Sequence, residues 1–254
     1  MFQEEIGEEY LVLQACTSEG TQIKYKNGNY WYKTDCHGRE GLAEYLASKL
    51  LTFSDLGSED YMSYEQGTIN GRPGCRSRNF LSPEDEFLTF YRLYYNEFGH
   101  DLSEVTNHME TMEERIEYVI RFVRQSCGVD VTDYLKKIVT LDFIILNEDR
   151  HFNNLGLVFR QDRFECAPIF DNGISLLTAN KSLNRHFTIA ENVKRVTARP
   201  FSGSHEKMFQ YFGLGFHLDC TAALEWLKEE EASQERDVLA FQSGRYQGIF
   251  LSTA

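Results

Sequence analysis

The sequence predicts an α+β protein of two lobes, a small antiparallel β-sheet with one main helix followed by a mostly helical body. Three observations predict it. Hairpin signals crowd the first third of the chain. Apolar residues at helical spacing dominate the remainder. The 254 residues, free of internal repeats and low-complexity linkers, suffice to bury one substantial core. The expected division is a sheet lobe over 1–81 and a helical lobe over 82–254, and the prolines at 73, 83, 168 and 200 all fall at expected boundaries.

Residues 10–16 alternate as a strand, and Thr17-Ser18-Glu19-Gly20 reads as a turn. Residues 21–26 and 29–33 flank Asn27-Gly28, a dipeptide that favours tight hairpins because both residues tolerate positive φ. Residues 41–51 space Leu42, Tyr45, Leu46 and Leu50 for a helix, with Glu44 at the margin of the apolar stripe. Residues 68–74 are turn-rich, and 75–81 read as an extended segment before Ser82-Pro83, a candidate hinge between lobes. An edge strand is the alternative reading of 77–81. Further on, residues 112–127 put Ile116, Val119, Ile120 and Val123 on one helical face before Gly128, and residues 131–146 form a second amphipathic run. Two short strands, 155–159 and 163–167, are joined by Arg160-Gln161-Asp162, and helices fit 204–212 and 221–231.

The chemistry concentrates where the second of these long helices ends. Leu146-Asn147-Glu148-Asp149-Arg150-His151-Phe152-Asn153-Asn154 cannot continue a buried face and reads as a loop. It supplies an acid, Asp149, and an amide five residues on, Asn154. The hairpin then carries a second acid, Asp171 of Phe170-Asp171-Asn172-Gly173, back beside them. ATP-dependent phosphoryl transfer needs such a set: one carboxylate takes the acceptor hydroxyl's proton, while an amide and a second carboxylate hold magnesium. Asp-x4-Asn alone is common in ordinary turns, because both side chains satisfy nearby backbone groups. The full series in register is far more specific.

Asp149-Arg-His-Phe-Asn-Asn154 with Phe170-Asp171 resembles the catalytic and metal loops of the HipA-like serine/threonine kinases, and the Asp-Arg-His-x-x-Asn string is shared with phosphoinositide kinases. The resemblance implies a protein-kinase-like bilobal fold with Asp149 as catalytic base and Asn154 and Asp171 as metal ligands. Ordinary eukaryotic protein kinases differ, since there the Arg precedes the catalytic Asp and a Phe stands where this chain has Asn172. Gly20-Thr21-Gln22-Ile23-Lys24 resembles the family's Gly-x-Gln-x-Lys phosphate loop, with Lys24 adding a positive charge; a plain hairpin turn is the alternative. Kinases also place a phosphate-binding lysine on a strand of the small sheet, anchored by a glutamate from the next helix. Lys33, ending the third expected strand, and Glu44 fill those positions, with Lys24 the rival to Lys33. The implied cofactors are ATP and Mg²⁺. The implied partners are a protein substrate and an antitoxin or other regulatory protein. Thr17 or Ser18 occupies the place where HipA-like kinases can be silenced by phosphorylation.

Composition narrows the alternatives. A net charge of −13 disfavours direct nucleic-acid binding, since the chain would meet a polyanion with excess carboxylates. No apolar run approaches membrane-spanning length, and the start Met1-Phe-Gln-Glu-Glu lacks a signal peptide's basic residues, so a cytoplasmic protein is expected, with secretion as an effector left open. The cysteines at 16, 36, 75, 127, 166 and 220 have no Cys-x-x-Cys spacing and read as reduced thiols, not as a structural metal site. His151 is assigned a supporting role in the loop, and Arg150 either orients it or meets a phosphate. Phe201, Phe209, Tyr211 and Phe212 read as core, and Glu229, Glu230, Glu231 and Glu235 as a solvated helix face. The segment 172–205, bearing Thr178, Lys181, Ser182, Arg185, Lys194, Arg195, Thr197 and Arg199, is locally basic and stands where a substrate-binding loop would. A lipid or small-molecule kinase would use the same three loop residues, and a nucleotide-binding pseudokinase would retain the cleft without turnover.

Overall fold

The computed structural model describes residues 1–12, 22–178, 184 and 186–251. Among these, Phe2–Glu4 (β1), Leu11–Val12 (β2), Lys24–Asn27 (β3), Tyr30–Thr34 (β4), Tyr64–Ile69 (β5) and Arg72–Arg78 (β6) form a six-stranded sheet in the order β1-β5-β6-β4-β3-β2. Its ladders are antiparallel except β1 against β5. A largely helical lobe follows, so the α+β bilobal expectation holds.

The β3–β4 and β5–β6 hairpins turn where a residue accepts positive φ. Between β3 and β4 the turn residues are Gly28-Asn29, one position beyond the expected pair, with Gly28 at φ 57° and Asn27 paired to Tyr30. Asn70 and Gly71, at φ 50° and 74°, suffice to reverse β5 into β6. Residues 72–74, expected as turn, therefore begin β6; Pro73 is tolerated there because it lies beyond Gly74, the last β6 residue paired with β4. The segment expected over 10–16 is strand only at Leu11–Val12, because Glu8–Tyr10 forms a 3-10 turn, and the rest lies outside the described residues. β1 and β5 escaped the sequence reading, and because β1 comes first Lys33 sits on the fourth strand in chain order, not the third.

Helix Glu40–Leu51 (α1) lies directly on this sheet. A Cβ at Gly41 would stand 2.5 Å from the carbonyl carbon of Gly74, so helix and strand backbones touch there. Glu44, one turn on, shares the face of Gly41 that meets the sheet. Leu46 and Leu50 on α1 join a core continuous with Ile116, Val119, Ile138, Leu141 and Ile144 of the helical lobe, while Ile6, Tyr32 and Ile69 pack on the sheet's other face.

The second lobe contains Phe90–Phe98 (α2), Leu102–Asn107 (α3), Met112–Cys127 (α4), Thr132–Ile145 (α5), Ile189–Val193 (α6), His205–Phe212 (α7), Cys220–Glu229 (α8) and Gln234–Leu251 (α9). A small sheet of Glu86–Thr89 (β7), Gly156–Arg160 (β8) and Arg163–Cys166 (β9) stands beside them. α4 has the expected bounds because both ends are encoded: Thr111 and Glu114 form a capping box, and Gly128 closes the helix at φ 72°. α9 was not legible, since its apolar residues form no single stripe. It lies against several neighbours and buries Val238, Leu239 and Tyr246.

Of the four acids expected on a solvated helix face, Glu229 and Glu231 are exposed and the other two are corrected. Glu235 is buried, accepts a hydrogen bond from Thr178 Oγ1 at 3.0 Å and faces Arg39 Nη1 at 3.6 Å. Glu230 accepts from Tyr45 Oη at 2.8 Å and Trp226 Nε1 at 2.6 Å, so these acids tie elements together instead of forming a solvated face. Phe201 and Phe209 lie in the core, whereas Tyr211 is 40% exposed. Cys36, Cys75, Cys127, Cys166 and Cys220 are free thiols, and among the described residues no helix is long and apolar enough to cross a membrane.

His205 at the start of α7 is buried, and neither ring nitrogen hydrogen-bonds among the described residues. Burial lowers its pKa to about 4, with Asp142 acting weakly in the opposite direction. The unfolded chain therefore takes up a proton near pH 6.5 that the native chain refuses until near pH 4, and stability falls with pH across that window. Between pH 7 and 5 the expected loss at this site is about 2 kcal/mol. Urea melts of the His205→Leu variant should lack that increment; equal acid sensitivity in both proteins would count against it.

Candidate active site

The cleft between the lobes is built on the alternation of the sheet. Lys24 of β3 lies directly opposite Lys33 of β4, which lies opposite Cys75 of β6; in the neighbouring row, Trp31 pairs with Ser77 and Ser77 with Tyr64. Side chains two apart on a strand share a face, and Lys24, Trp31, Lys33, Tyr64 and Ser77 all line a cavity of about 310 Å³. Met62, Phe80, Phe87 and Phe170 supply its apolar walls, and Thr89, Asn153 and Asp171 its far side. Residues 77–81 also line it. β6 is central in the sheet, which removes the edge-strand reading; beyond it, Asn79 holds the segment in shape, accepting from Trp31 Nε1 and donating to the Leu81 carbonyl.

Lys33 is shared by two carboxylates. Its Nζ lies 2.8 Å from Glu44 Oε1 and 2.7 Å from Asp171 Oδ1, and 5.3 Å from the centre of the Tyr64 ring. Glu44 is 1% exposed and also accepts the Asn172 backbone N–H at 2.8 Å, so α1 is clamped at once to the sheet and to the segment after Asp171. Burial works against the Lys33 charge, but Asp171 and Glu44 outweigh it and hold the ammonium well above its usual range. Burial likewise opposes ionisation of Asp171, yet Lys33 and Lys24 keep that carboxyl well below the usual range. Lys24 is itself buried, and desolvation lowers its pKa. Asp171 has φ 61°, a conformation rare for a residue other than glycine.

The loop after α5 is held from within. Leu146 ends the helix at φ 57°, and Asn147 bridges Asp142 and the Asp149 backbone N–H. Arg150, 1% exposed, turns inward: Nε and Nη2 reach the two Asp142 oxygens at 3.0 and 2.8 Å, Nη1 the Phe170 carbonyl, and Nη2 also Asn172 Oδ1 at 2.7 Å. This decides between the two readings of Arg150, which orients both loops and is spent on them. Asp149 stays partly exposed; burial raises its pKa, with His151 opposing and the nearby Asp171 adding to the rise. Asn154 donates its amide to the Asp149 carbonyl at 3.2 Å, while its buried Oδ1 accepts no hydrogen bond among the described residues.

The structure thus brings Lys24, Lys33, Glu44 and Asp171 together, with Asp149 close enough to Asp171 to feel its charge. Lys24 stands within a strand, not in a loop. Gln22 donates to the Thr34 carbonyl at 3.3 Å and does not line the cavity. Gly20 and Thr21, like Thr17, Ser18, Lys181, Ser182 and Arg185, lie outside the described residues. Asp142 and Asn172 were missed as organisers of the site. A lone carboxylate inside the apolar run Leu141-Asp142-Phe143-Ile144-Ile145 was the available signal, since such a group demands a buried partner.

Comparison with solved structures gives the fold its relatives. The crystal structure of CtkA, a Helicobacter pylori proinflammatory kinase, superposes with a TM-score of 0.65 at 13% identity, covering 91% of this chain and 90% of that one. The chain has a bilobal, kinase-like fold. HipA from the Shewanella oneidensis MR-1 toxin–antitoxin system, solved with HipB and operator DNA, superposes with a TM-score of 0.55 at 11% identity over 94% of this chain and 63% of that one. No protein-family model matches the sequence, and no curated protein matches it. At such identities the HipA-like likeness is one of fold.

Proposed function

We propose that the chain is an ATP- and Mg²⁺-dependent protein serine/threonine kinase that moves the γ-phosphoryl group of ATP onto a protein hydroxyl. The observation that carries this reading is the buried Lys33, held between Glu44 and Asp171 at the wall of an apolar cleft. A lysine so placed can exchange its contact with Asp171 for phosphate oxygens while Glu44 keeps it aimed. Lys24 adds a second positive charge on the same face, and the aromatic walls with the backbone of residues 77–81 suit an adenine ring.

The donor set fits magnesium. Among the described residues no group of three or more His, Cys, Asp or Glu is placed to hold a metal ion, so a protein-only cage is not on offer. Mg²⁺ instead favours one or two protein oxygens plus substrate phosphates and water. The ionised Asp171 and the unpartnered Oδ1 of Asn154 are oxygens of that kind, and would hold the ion. When bound it neutralises charge on the transferring phosphoryl group. Asp149 receives the acceptor's proton, Asn154 fixes the loop backbone through the Asp149 carbonyl, and Arg150 with Asp142 keeps the loop in register with Asp171. The chemistry is positioning plus charge neutralisation. A regulatory protein partner, on the precedent of HipA with HipB, belongs to the same proposal, as does a cytoplasmic site of action.

The test is transfer of labelled γ-phosphate from Mg-ATP by the purified chain, onto itself and onto an extract stripped of its own kinases. Label on protein should appear with the native chain and fall by at least about 10³-fold with Asp149→Ala. Label on lipid or metabolite alone would replace the protein acceptor. ATP binding without any transfer would mark a pseudokinase.

A further inference from the structure

Among the described residues, the side chain that forms an ion pair with Asp149 is Arg199. Its Nη1 stands 3.7 Å from Asp149 Oδ1, with the two side chains 63% and 45% exposed. An ion pair this solvated contributes little to stability, so structural bracing does not explain it. The backbone that carries it is nevertheless firmly set. Ala198 is buried and donates its N–H to the Gly203 carbonyl at 3.1 Å. Phe201 is buried edge-on against Phe152 of the catalytic loop, ring centres 5.8 Å apart, and its carbonyl accepts from Arg115 Nη1. An exposed side chain on a fixed base can move between partners without reorganising the fold.

Charge accounting at the site gives that side chain a task. Lys33 and Lys24 serve the Asp171 side of the cleft. The catalytic loop's own cation, Arg150, is fully engaged by Asp142, Asn172 and the Phe170 carbonyl. Among the described residues, His151 and Arg199 also stand beside Asp149, and of these two only Arg199 is a permanent cation.

We infer that Arg199 is a catalytic residue, whose guanidinium leaves Asp149 to contact the transferring phosphoryl group and neutralise charge on its oxygens. The inference rests on the kinase reading and names the group that completes it. In the step, the bond from the γ-phosphorus to the β–γ bridging oxygen breaks and ADP keeps its electron pair. The acceptor hydroxyl oxygen bonds to phosphorus, and its proton passes to Asp149. Arg199 makes no covalent bond; it is a planar fork of donors matched to phosphate oxygens.

The experiment compares the native chain with Arg199→Ala and Arg199→Lys for phosphoryl transfer from Mg-ATP to protein and to water, for ATP affinity by titration, and for melting temperature. The Ala variant should lose about 10²- to 10³-fold in kcat. Its ATP affinity should stay within about twofold and its melting temperature should be unchanged, as expected for an exposed side chain. Millimolar guanidinium should restore part of the Ala variant's rate, and Lys should retain part of it. Native kcat in the Ala variant, or a rise, would overturn the inference while leaving the kinase reading intact. So would a loss that tracks melting temperature and that guanidinium does not relieve. Absence of transfer by the native chain would overturn both.

Discussion

Replacing Lys33 with methionine is expected to abolish measurable phosphoryl transfer and, at the same time, to destabilise the fold by about 3–5 kcal/mol. The two effects share one cause. Lys33 is the cation between Glu44 and Asp171, both within hydrogen-bonding distance. Without it two poorly solvated carboxylates are left facing the same space, and one must either take up a proton or escape. α1 then loses the contact that holds it over β4, although Glu44 keeps the Asn172 N–H. The double variant Lys33→Met/Glu44→Gln removes the uncompensated charge, so it should recover much of the stability and none of the activity. Urea melts paired with the labelled-phosphate assay read both quantities. A Lys33→Met protein as stable as the native chain would mean that the pair is not an energetic unit.

Arg150→Ala is expected to cost a similar amount of stability and to inactivate the site without removing any group that meets substrate. The guanidinium is 1% exposed, and burial works against its charge; Asp142 more than offsets this. Deleting it strands the Asp142 carboxylate in the core of α5 and frees the Phe170 carbonyl and Asn172 side chain from their donor. The loop bearing Asp149 and the segment bearing Asp171 would then lose their common tether. Lysine should not rescue, because one ammonium cannot reproduce a planar fork aimed at Asp142, Phe170 and Asn172. Proteolysis within 147–154 and within 171–176 should accelerate together in the Ala variant. Acceleration at one segment only would show that Arg150 does not couple them.

Much of this was legible before any coordinates. The bilobal α+β class, α4 with its closing Gly128, the β8–β9 hairpin and the series Asp149, Asn154, Asp171 follow from local rules. Capping boxes, primed turns and helical periodicity act over a few residues, so a few residues encode them. Elements whose stability is not local were lost. β1 is three residues long and exists by pairing with β5 more than sixty positions away, and β5 carries Gly67 and no clean alternation. α9 lacks an apolar stripe because its buried face includes the polar Glu235, Gln242 and Ser243 beside Val238, Leu239 and Tyr246.

The same division runs through the candidate site. The sequence by itself determined which residue types are present, in which order, and the loop spacing that links Asp149 to Asn154. Tertiary structure alone decided that Lys24 faces Lys33 across a ladder, that Glu44 is buried instead of marginal, that Arg150 turns inward to Asp142, and that Arg199 comes to Asp149 from a segment fifty residues on. The reason is physical. A charge pattern along the chain does not say which charges lose their water, and it is desolvation in a packed interior that makes a lysine between two carboxylates, or an arginine against one, a strong and directional contact.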